Sequence, residues 1–189
     1  GLEDCLLQSE RGNAARRAVL DWARGAGLPA YDRRTHEGLL RNLVVREGRR
    51  TGEVQVRLVT SETTELSAED VGAGLAEVAD SVLWTRIERT AEVTHGGVTQ
   101  LVAGSETITE ELCDLRFRLS GEAFFQTNTE MAERLYGLAA DAAGLEGWER
   151  VYDLFCGIGT IGLSLAARSG EVWGLEAVET AIADAIADA

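Results

Sequence analysis

The sequence predicts an α/β protein in two parts, in which a small α+β domain precedes the beginning of a parallel sheet. Short runs rich in Val and Leu, mixed with helical patterns, fill residues 1–120, whereas strand-like and helix-like segments alternate regularly in residues 121–189. Regular alternation of this kind is typical of a parallel sheet with crossover helices. A glycine-rich turn joins the first strand of the second part to its helix, where nucleotide-binding folds hold their ligand.

Two helical patterns lie in the first part. Apolar residues recur at helical spacing over residues 13–26, and a glycine and proline cluster ends that pattern. Ser67 followed by Asp70 is typical of a helix start and predicts a second, shorter helix. Further strand patterns occupy residues 81–88, 98–102 and 115–119.

A β-hairpin is predicted between these helices. Residues 38–46 and 53–60 are rich in Val and Leu and are joined by a glycine-containing turn. Gln55 and Arg57 alternate with Val in the second of the two strands. Because neighbouring side chains of a strand point to opposite faces, we expect one face of the hairpin to be solvated.

The second part opens with a helix whose ends are marked in the sequence. Asn128 is a typical N-cap residue and Gly144 a typical C-cap residue. Between them, Met131, Leu135 and Leu138 fall on one predicted apolar face. Two strands and two helices then alternate to the end of the sequence. The strands are predicted over residues 150–155 and 171–175, and the helices over residues 158–167 and 178–189.

Composition and charge exclude several classes of protein. The 189 residues are 45% hydrophobic and 26% charged with a single Pro, which excludes disordered and collagen-like chains. No apolar run approaches the roughly 20 residues that a bilayer requires, so we expect a cytoplasmic protein with no membrane partner. Residues 1–60 carry a net charge of +3 and residues 61–189 one of −17. A phosphate-binding face, if the chain has one, is therefore expected in the first third, and the alternative is that these arginines are solvated or paired with nearby acidic residues.

The cysteines and histidines form no recognisable metal or disulfide pattern. Cys5, Cys113 and Cys156 are widely separated and include no C-x-x-C pair, which argues against a disulfide framework and a zinc site. We expect Cys113 in a strand or in the core. His36 and His95 each lie in a glycine-containing stretch, His-Glu-Gly and His-Gly-Gly, and are expected in loops.

The second part is short for the fold that it begins. Only 39 residues follow Arg150, and they hold two strands, whereas a doubly wound sheet usually carries five or more. We therefore expect the chain to be a fragment with bare apolar faces and an open sheet edge. An open edge can pair with a second copy, so an edge-paired dimer is expected.

The glycine turn predicts a cofactor that contains adenosine. Gly157, Gly159 and Gly162 form G-x-G-x-x-G between a strand and a helix, where they allow a tight turn and a close approach of helix to sheet. Glu176 follows the next strand, 19 residues after Gly157, where a carboxylate can bind ribose hydroxyls.

Asp153 distinguishes between two such cofactors. It lies inside the strand, four residues before Gly157, where its charge would repel a pyrophosphate. The same charge suits the zwitterionic, sulfonium-bearing end of S-adenosylmethionine. A carboxylate that only accepts loop N–H groups would suit either ligand, so a nicotinamide-dependent oxidoreductase remains the alternative, although it leaves residues 124–128 unexplained.

Two stretches resemble the RNA (uracil-5-)methyltransferase family. The first is Ser120 with Ala-Phe-Phe-Gln-Thr-Asn at residues 123–128 and the later Tyr136, and the second is Asp-Leu-Phe-Cys-Gly-Ile-Gly-Thr at residues 153–160. Residues 38–60 are similar to the family's central domain, more to its ribosomal-RNA branch than to its transfer-RNA branch. The resemblance implies a class I S-adenosylmethionine-dependent methyltransferase (Rossmann-like) fold, whose N-terminal half begins at about residue 121, after a central domain that contacts RNA.

The resemblance also implies a set of cofactor contacts. Gln126 would offer its amide to the amino-acid end of the cofactor, Phe155 an apolar wall, and Glu176 the ribose clamp. At least one of Phe124 and Phe125 is expected to be a core residue. The full cofactor set is Gln126, Asp153, Phe155, Gly157, Gly159, Thr160 and Glu176.

In this family a cysteine thiolate adds to C6 of uracil, C5 takes the methyl group, and a carboxylate base removes the C5 proton. By resemblance both groups lie after the second helix, so we expect no catalytic residue and no turnover in this chain. Cys156 is expected to pack near the cofactor. The implied substrate is a uridine of 23S ribosomal RNA, or alternatively of transfer RNA, and a non-enzymatic RNA-binding module is a further alternative.

Many ribosomal-RNA members hold a four-iron four-sulfur cluster with four cysteines. The surroundings of Cys5 resemble those of the last of these ligands, which makes Cys5 a candidate remnant ligand. One ligand of four cannot hold a cluster, so we expect none in this chain.

Overall fold

The computed structural model describes residues 4–62, 65–88, 94 and 96–189. The chain divides into two compact units, of which the second comprises Arg49–Thr51 and Thr109–Ala189. The predicted domain boundary between residues 120 and 121 stays a prediction. The predicted loop residue His95 lies outside the described residues, and within them no helix has the length and apolarity to span a bilayer.

The first unit is a four-stranded sheet with two helices. Its sheet has the order β1-β2-β3-β4, in which β2 and β3 are parallel and the outer pairs are antiparallel. The helix α2 is the crossover between the two parallel strands. The elements are α1 (Glu10–Gly25), β1 (Leu40–Glu47), β2 (Val54–Ser61), α2 (Ala68–Leu75), β3 (Ser81–Ile87) and β4 (Val98–Gly104).

Both helices pack on the same face of this sheet. Val19 of α1 and Leu75 of α2 share one buried cluster with alternate residues of β2 and with Trp84 of β3. The predicted start of α2 is confirmed, because Ser67 and Asp70 form a reciprocal capping box.

The predicted hairpin is confirmed, but the prediction that one of its faces is solvated is wrong. β1 and β2 pair antiparallel, yet Gln55 and Arg57 are only 2% and 4% exposed. Gln55 Nε2 donates to Ser81 Oγ at 3.0 Å, and Arg57 Nη1 donates to the Thr94 carbonyl at 2.8 Å. β2 is buried on both faces from Val54 to Thr60, so Gln55 and Arg57 make these hydrogen bonds inside the protein.

The second unit combines a hairpin, three helices and a parallel strand pair. The sequence patterns missed its first strand, β5. Cys113 lies in the β5–β6 turn with φ 52°, not in a strand or the core, and Asp114 beside it has φ 62°. The elements are β5 (Ile108–Leu112), β6 (Leu115–Leu119), α3 (Thr129–Ala143), β7 (Arg150–Leu154), α4 (Thr160–Ala166), β8 (Glu171–Leu175) and α5 (Glu179–Asp188).

The helix α3 has the predicted ends and the opposite buried face. Asn128 Oδ1 accepts the Met131 N–H at 2.9 Å, and Gly144 ends the helix with φ 60°. The larger apolar side chains of the predicted stripe, those of Met131, Leu135 and Leu138, are more than half exposed. The buried side chains are instead Thr129, Ala132, Tyr136 and Ala140. Small residues on the packed side allow a close approach of α3 to its neighbours.

A buried carboxylate in β5 holds the unit together. Glu110 is completely buried and accepts backbone N–H groups from Arg49 at 2.7 Å, Arg50 at 3.1 Å and Glu111 at 2.8 Å. It also accepts the Thr129 hydroxyl at 2.8 Å. Glu110 thereby ties residues 49–51 and the first turn of α3 to the hairpin.

The strands β7 and β8 form a parallel pair connected by α4, as the alternating pattern predicts. One face of this pair is covered by helix and the other is bare. Tyr152, Leu154, Trp173 and Leu175 are each about half exposed on the bare face. The expected bare apolar face is therefore present.

Candidate functional site

The turn after β7 has an unusual backbone. Phe155 has φ 63°, in the left-handed region that bulky residues rarely adopt, and its side chain is 89% exposed. Gly157 and Gly159 have φ 57° and 82°, so both glycines serve the tight turn that the motif predicts, and α4 begins at Thr160. Strained, exposed backbone of this kind concentrates at ligand sites.

The Glu176 carboxylate joins this turn to the end of β8. It accepts the N–H groups of Val178 and Gly157, each at 3.0 Å, and of Ala177 at 2.7 Å. These hydrogen bonds, first that of Val178 and then those of Gly157 and Ala177, lower the pKa of Glu176 below its ordinary value. Three of about four acceptor sites on the carboxylate are thus used, which leaves capacity for an incoming hydroxyl group.

Asp153 lies on the inner side of the same turn. Its Oδ2 accepts the Gly162 N–H at 2.8 Å, in the first turn of α4. The positive end of the helix dipole is therefore already neutralised by a carboxylate, and a second anion placed there would be repelled. A pyrophosphate at the head of α4 is disfavoured for this reason.

Gly162 is the point of closest approach between α4 and the strands. A Cβ atom at this position would lie 3.0 Å from Asp153 Oδ2 and 3.1 Å from Val172 Cγ1. The role that the motif assigns to the third glycine is therefore present in the packing.

We expect Gly162→Ala to lower the free energy of unfolding by about 1–3 kcal/mol, because the added methyl group must displace the strand or the Asp153 carboxylate. The matched control is Gly137→Ala in α3, where a Cβ meets nothing within 4 Å and the helix should gain up to about 1 kcal/mol. Urea denaturation followed by circular dichroism measures both. Equal effects of the two changes would contradict the close-approach argument.

Cys156 is placed in the turn but is not activated. Burial and the negative charges of Asp153 and Glu176 raise the pKa of the Cys156 thiol. The thiolate, not the thiol, is the nucleophile, so the site disfavours covalent catalysis by this residue. Its Sγ lies where a Cβ on Gly174 would clash, at 2.9 Å, which fits the predicted packing role.

A cavity of about 310 Å³ lies on the helix side of β7 and β8. Asp153 and Gly159 of the predicted set line it, together with apolar side chains of α4, β8 and α5. Phe155, Gly157 and Glu176 are not part of this lining. The turn therefore has an inner, largely apolar side and an outer side that carries the ribose-clamp candidate.

The segment before α3 contributes the remaining predicted residue. Gln126 is exposed two residues before the cap Asn128. Phe125 packs against Phe117 with ring centroids 6.2 Å apart, whereas Phe124 is 73% exposed, so the expectation of one core residue in this pair is confirmed.

Tyr136, predicted only as part of the family-like stretch and not as a cofactor contact, touches the start of the glycine turn's helix. It is buried in α3, and its hydroxyl lies 3.3 Å from Thr160 Oγ1 at the start of α4. This contact links the helix that follows Gln126 to the glycine turn. The signal in the sequence was its place in the family-like stretch that ends at Tyr136.

Searches among known proteins give a consistent picture. No family model matches the chain. An uncharacterized RNA methyltransferase of Halalkalibacterium halodurans is 36% identical over 188 residues, 97% of this chain and 41% of the relative. Another, of Chlorobaculum tepidum, is 37% identical over 97% of this chain and 39% of the relative. The chain resembles RNA methyltransferases.

The chain is also similar to a methyltransferase of known structure. The tRNA (uracil-54, C5)-methyltransferase of Pyrococcus abyssi, in complex with S-adenosyl-L-homocysteine, is 27% identical with a TM-score of 0.83 over 99% of this chain and 45% of that chain. The predicted resemblance to RNA (uracil-5-)methyltransferases and the predicted fold class, α/β with a Rossmann-like methyltransferase fold, are confirmed. The chain spans about two fifths of the length of the curated relatives it matches.

Proposed function

We propose that this chain is part of an S-adenosylmethionine-dependent RNA methyltransferase that methylates C5 of a uridine. The observation that carries the proposal is the Glu176 carboxylate, which accepts the Gly157 N–H at 3.0 Å beside the strongly exposed Phe155. A turn that presents a carboxylate, an aromatic ring and glycine backbone together suits an adenosine. The curated relatives, named as RNA methyltransferases, and the uracil-54 enzyme with its S-adenosyl-L-homocysteine support the same function.

The residues of the turn fit S-adenosylmethionine. The cofactor supplies an electrophilic methyl group when it is bound. A Cβ on Gly157 meets nothing within 4 Å, so the space over the turn is open to a ligand. Phe155 and Glu176 would hold the adenosine, and the Gln126 amide would pair with the amino-acid end. Gly159 and Thr160, at the end of the turn, would line the same pocket.

Asp153 favours this cofactor over a dinucleotide. Its carboxylate caps α4 through the Gly162 N–H at 2.8 Å, where the pyrophosphate of a nicotinamide cofactor would need to lie. A sulfonium centre and an ammonium group are attracted by the same charge. Because this carboxylate also accepts a backbone N–H group, an arrangement that suits either ligand, the oxidoreductase alternative is disfavoured by charge alone.

Catalysis requires groups outside this chain. By the family resemblance the nucleophilic cysteine and the base belong to other parts of the whole enzyme, so this chain alone is expected to have no turnover. The raised pKa of the Cys156 thiol agrees with this assignment. Cys5 is retained as a candidate remnant ligand of an iron-sulfur cluster of that enzyme. The bare face and open edge of β7 and β8 favour pairing with a second copy of the isolated chain.

The substrate is a uridine of 23S ribosomal RNA, with transfer RNA as the alternative, and the enzyme acts in the cytoplasm. Deletion of the gene that encodes the whole protein is expected to remove 5-methyluridine from one position, measured by mass spectrometry of nuclease digests. Digests of separated ribosomal and transfer RNA distinguish the two substrates. Unchanged 5-methyluridine in both would overturn the proposed function.

A further inference from the structure

A second pocket lies in the first unit, at the carboxyl ends of the parallel strands β2 and β3. Its volume is about 270 Å³, near the lower limit for small-molecule sites, which suits a single nucleoside better than a large cofactor. Tyr31, His36 and Arg41 form one side, and Glu62 and Glu88 are the acidic residues of the lining.

The first side of the pocket is an aromatic and cationic platform. The Arg41 guanidinium lies 4.5 Å from the centroid of the Tyr31 ring, a cation–π contact that holds the guanidinium plane near the pocket. The Tyr31 hydroxyl and His36 Nδ1 are 3.0 Å apart, which fixes both rings relative to each other. Rings and guanidinium planes arranged in this way are the surfaces on which proteins stack unpaired RNA bases.

The second side of the pocket determines which part of a nucleotide can enter. Glu62 and Glu88 would repel a phosphate but can accept hydrogen bonds from exocyclic amino groups. Adenine, cytosine and guanine carry such groups, and uracil does not. The pocket chemistry therefore selects an amino-bearing base and leaves the phosphates outside.

Two exposed basic residues are candidates to contact the flanking phosphates. Arg33 and Arg34 are exposed on the loop between Tyr31 and His36. This loop is well fixed, because Asp32 Oδ1 accepts the Arg34 N–H at 2.7 Å and the His36 N–H donates to the Asp32 carbonyl at 2.8 Å. A rigid loop loses little entropy when it binds a backbone.

We propose that this pocket binds one amino-bearing base of single-stranded RNA, stacked on Tyr31 and Arg41, with the flanking phosphates against Arg33 and Arg34. The inference rests on the proposed function, because an RNA methyltransferase must hold nucleotides around its target uridine. It adds a contact in the first unit, separate from the glycine turn, with a base preference of its own.

Fluorescence anisotropy with labelled 12-nucleotide C-only and U-only RNA at low salt tests the proposal. The wild-type chain should bind the C-only RNA more tightly. Tyr31→Leu should weaken that binding about fivefold or more, the loss expected for one stacked base. The double variant Arg33→Ala/Arg34→Ala should weaken both RNAs and reduce the salt dependence. The control Arg24→Ala, an exposed arginine of α1 paired with Asp21, should bind like the wild type.

Three results would overturn the inference: no RNA binding by the wild-type chain, equal affinity for the two RNAs, or equal losses in the Arg24 control and the Arg33/Arg34 variant. If Tyr31→Leu fails to fold, the Arg33→Ala/Arg34→Ala variant and its Arg24→Ala control still test the inference, because all three arginines are exposed. Binding of S-adenosylhomocysteine is measured on the same samples. Because the two sites are distinct, a loss of the RNA effect with intact cofactor binding rejects this inference alone, and the reverse result rejects the proposed function.

Discussion

Replacing Glu176 with alanine is expected to weaken binding of S-adenosylhomocysteine by about 10- to 100-fold, measured by titration calorimetry. The remaining acceptor site of the carboxylate can take one ribose hydroxyl, and one such charge-assisted hydrogen bond corresponds to roughly that loss of affinity. The alanine also removes the acceptor for the Gly157 and Val178 N–H groups. The turn therefore loses its clamp and part of its shape in a single change.

Two further variants separate charge from shape at this site. Glu176→Gln keeps one carbonyl oxygen but turns an amide NH₂ toward a backbone N–H, so its affinity should fall between those of alanine and wild type. Glu179→Ala removes an exposed carboxylate three residues later and should leave the affinity unchanged. Undiminished affinity in a folded Glu176→Ala chain would contradict the assigned clamp.

The same carboxylate predicts how the affinity depends on pH. The pKa of Glu176 is held below its ordinary value of about 4.3, first by the Val178 N–H and then by those of Gly157 and Ala177. A lowered folded-state pKa keeps the carboxylate ionised down to more acidic pH. The affinity attributed to Glu176 should therefore be constant from pH 8 to about 5 and decline only as the carboxylate becomes protonated below that range.

Glu110→Ala is expected to lower the free energy of unfolding of the second unit by about 3–5 kcal/mol. Glu110 is completely buried, and its loss leaves the N–H groups of Arg49 and Arg50 and the Thr129 hydroxyl without their acceptor. Unsatisfied buried donors cost about 1–3 kcal/mol each, and breaking a buried charged network costs more than removing a surface contact.

Hydrogen exchange with mass spectrometry localises this effect. Amides of residues 49–51 and of the first turn of α3 should lose protection, whereas those of β2 and β3 should keep it. Glu111→Ala is the matched control, because that neighbouring carboxylate is exposed and pairs with Arg116 only at 3.7 Å, which is worth at most about 1 kcal/mol. If the two alanine variants exchange alike, Glu110 does not have the anchoring role.

Local signals in the sequence predicted those elements whose ends are determined by their own residues. Asn128 and Gly144 define α3 because a side-chain cap and a left-handed glycine act within one turn of helix. The turn between β7 and α4 was predictable for the same reason. The burial of Gln55 and Arg57 was not, because their hydrogen-bond partners, Ser81 and the Thr94 carbonyl, follow 26 and 37 residues later in the sequence.

Which side of a helix is packed was also beyond the sequence pattern. The apolar stripe of Leu135 and Leu138 is real, but the packed side is the one with Ala132 and Ala140. Hydrophobic periodicity identifies an amphipathic helix, whereas close approach of backbones selects small residues.

The residues of the site that belong to the glycine motif could be predicted from the sequence, and their contacts could not. The motif located the glycine turn and Glu176 but could not indicate that the Glu176 carboxylate accepts three backbone N–H groups. Tyr136 was missed as a member of the site because its contact with Thr160 joins residues 24 positions apart. Contacts between separate elements depend on their packing, which no local pattern encodes.

The bare face of β7 and β8 has a consequence for how this chain behaves in concentrated solution. This face exposes apolar side chains to which other molecules can bind, next to strand edges that can pair with another strand. The side chains are those of Tyr152, Leu154, Trp173 and Leu175. The net charge of −17 on residues 61–189 opposes such encounters through mutual repulsion. At 1 M salt the Debye length is only about 3 Å, so the repulsion between molecules is screened. The acidic residues therefore oppose aggregation at low salt and no longer do so at high salt.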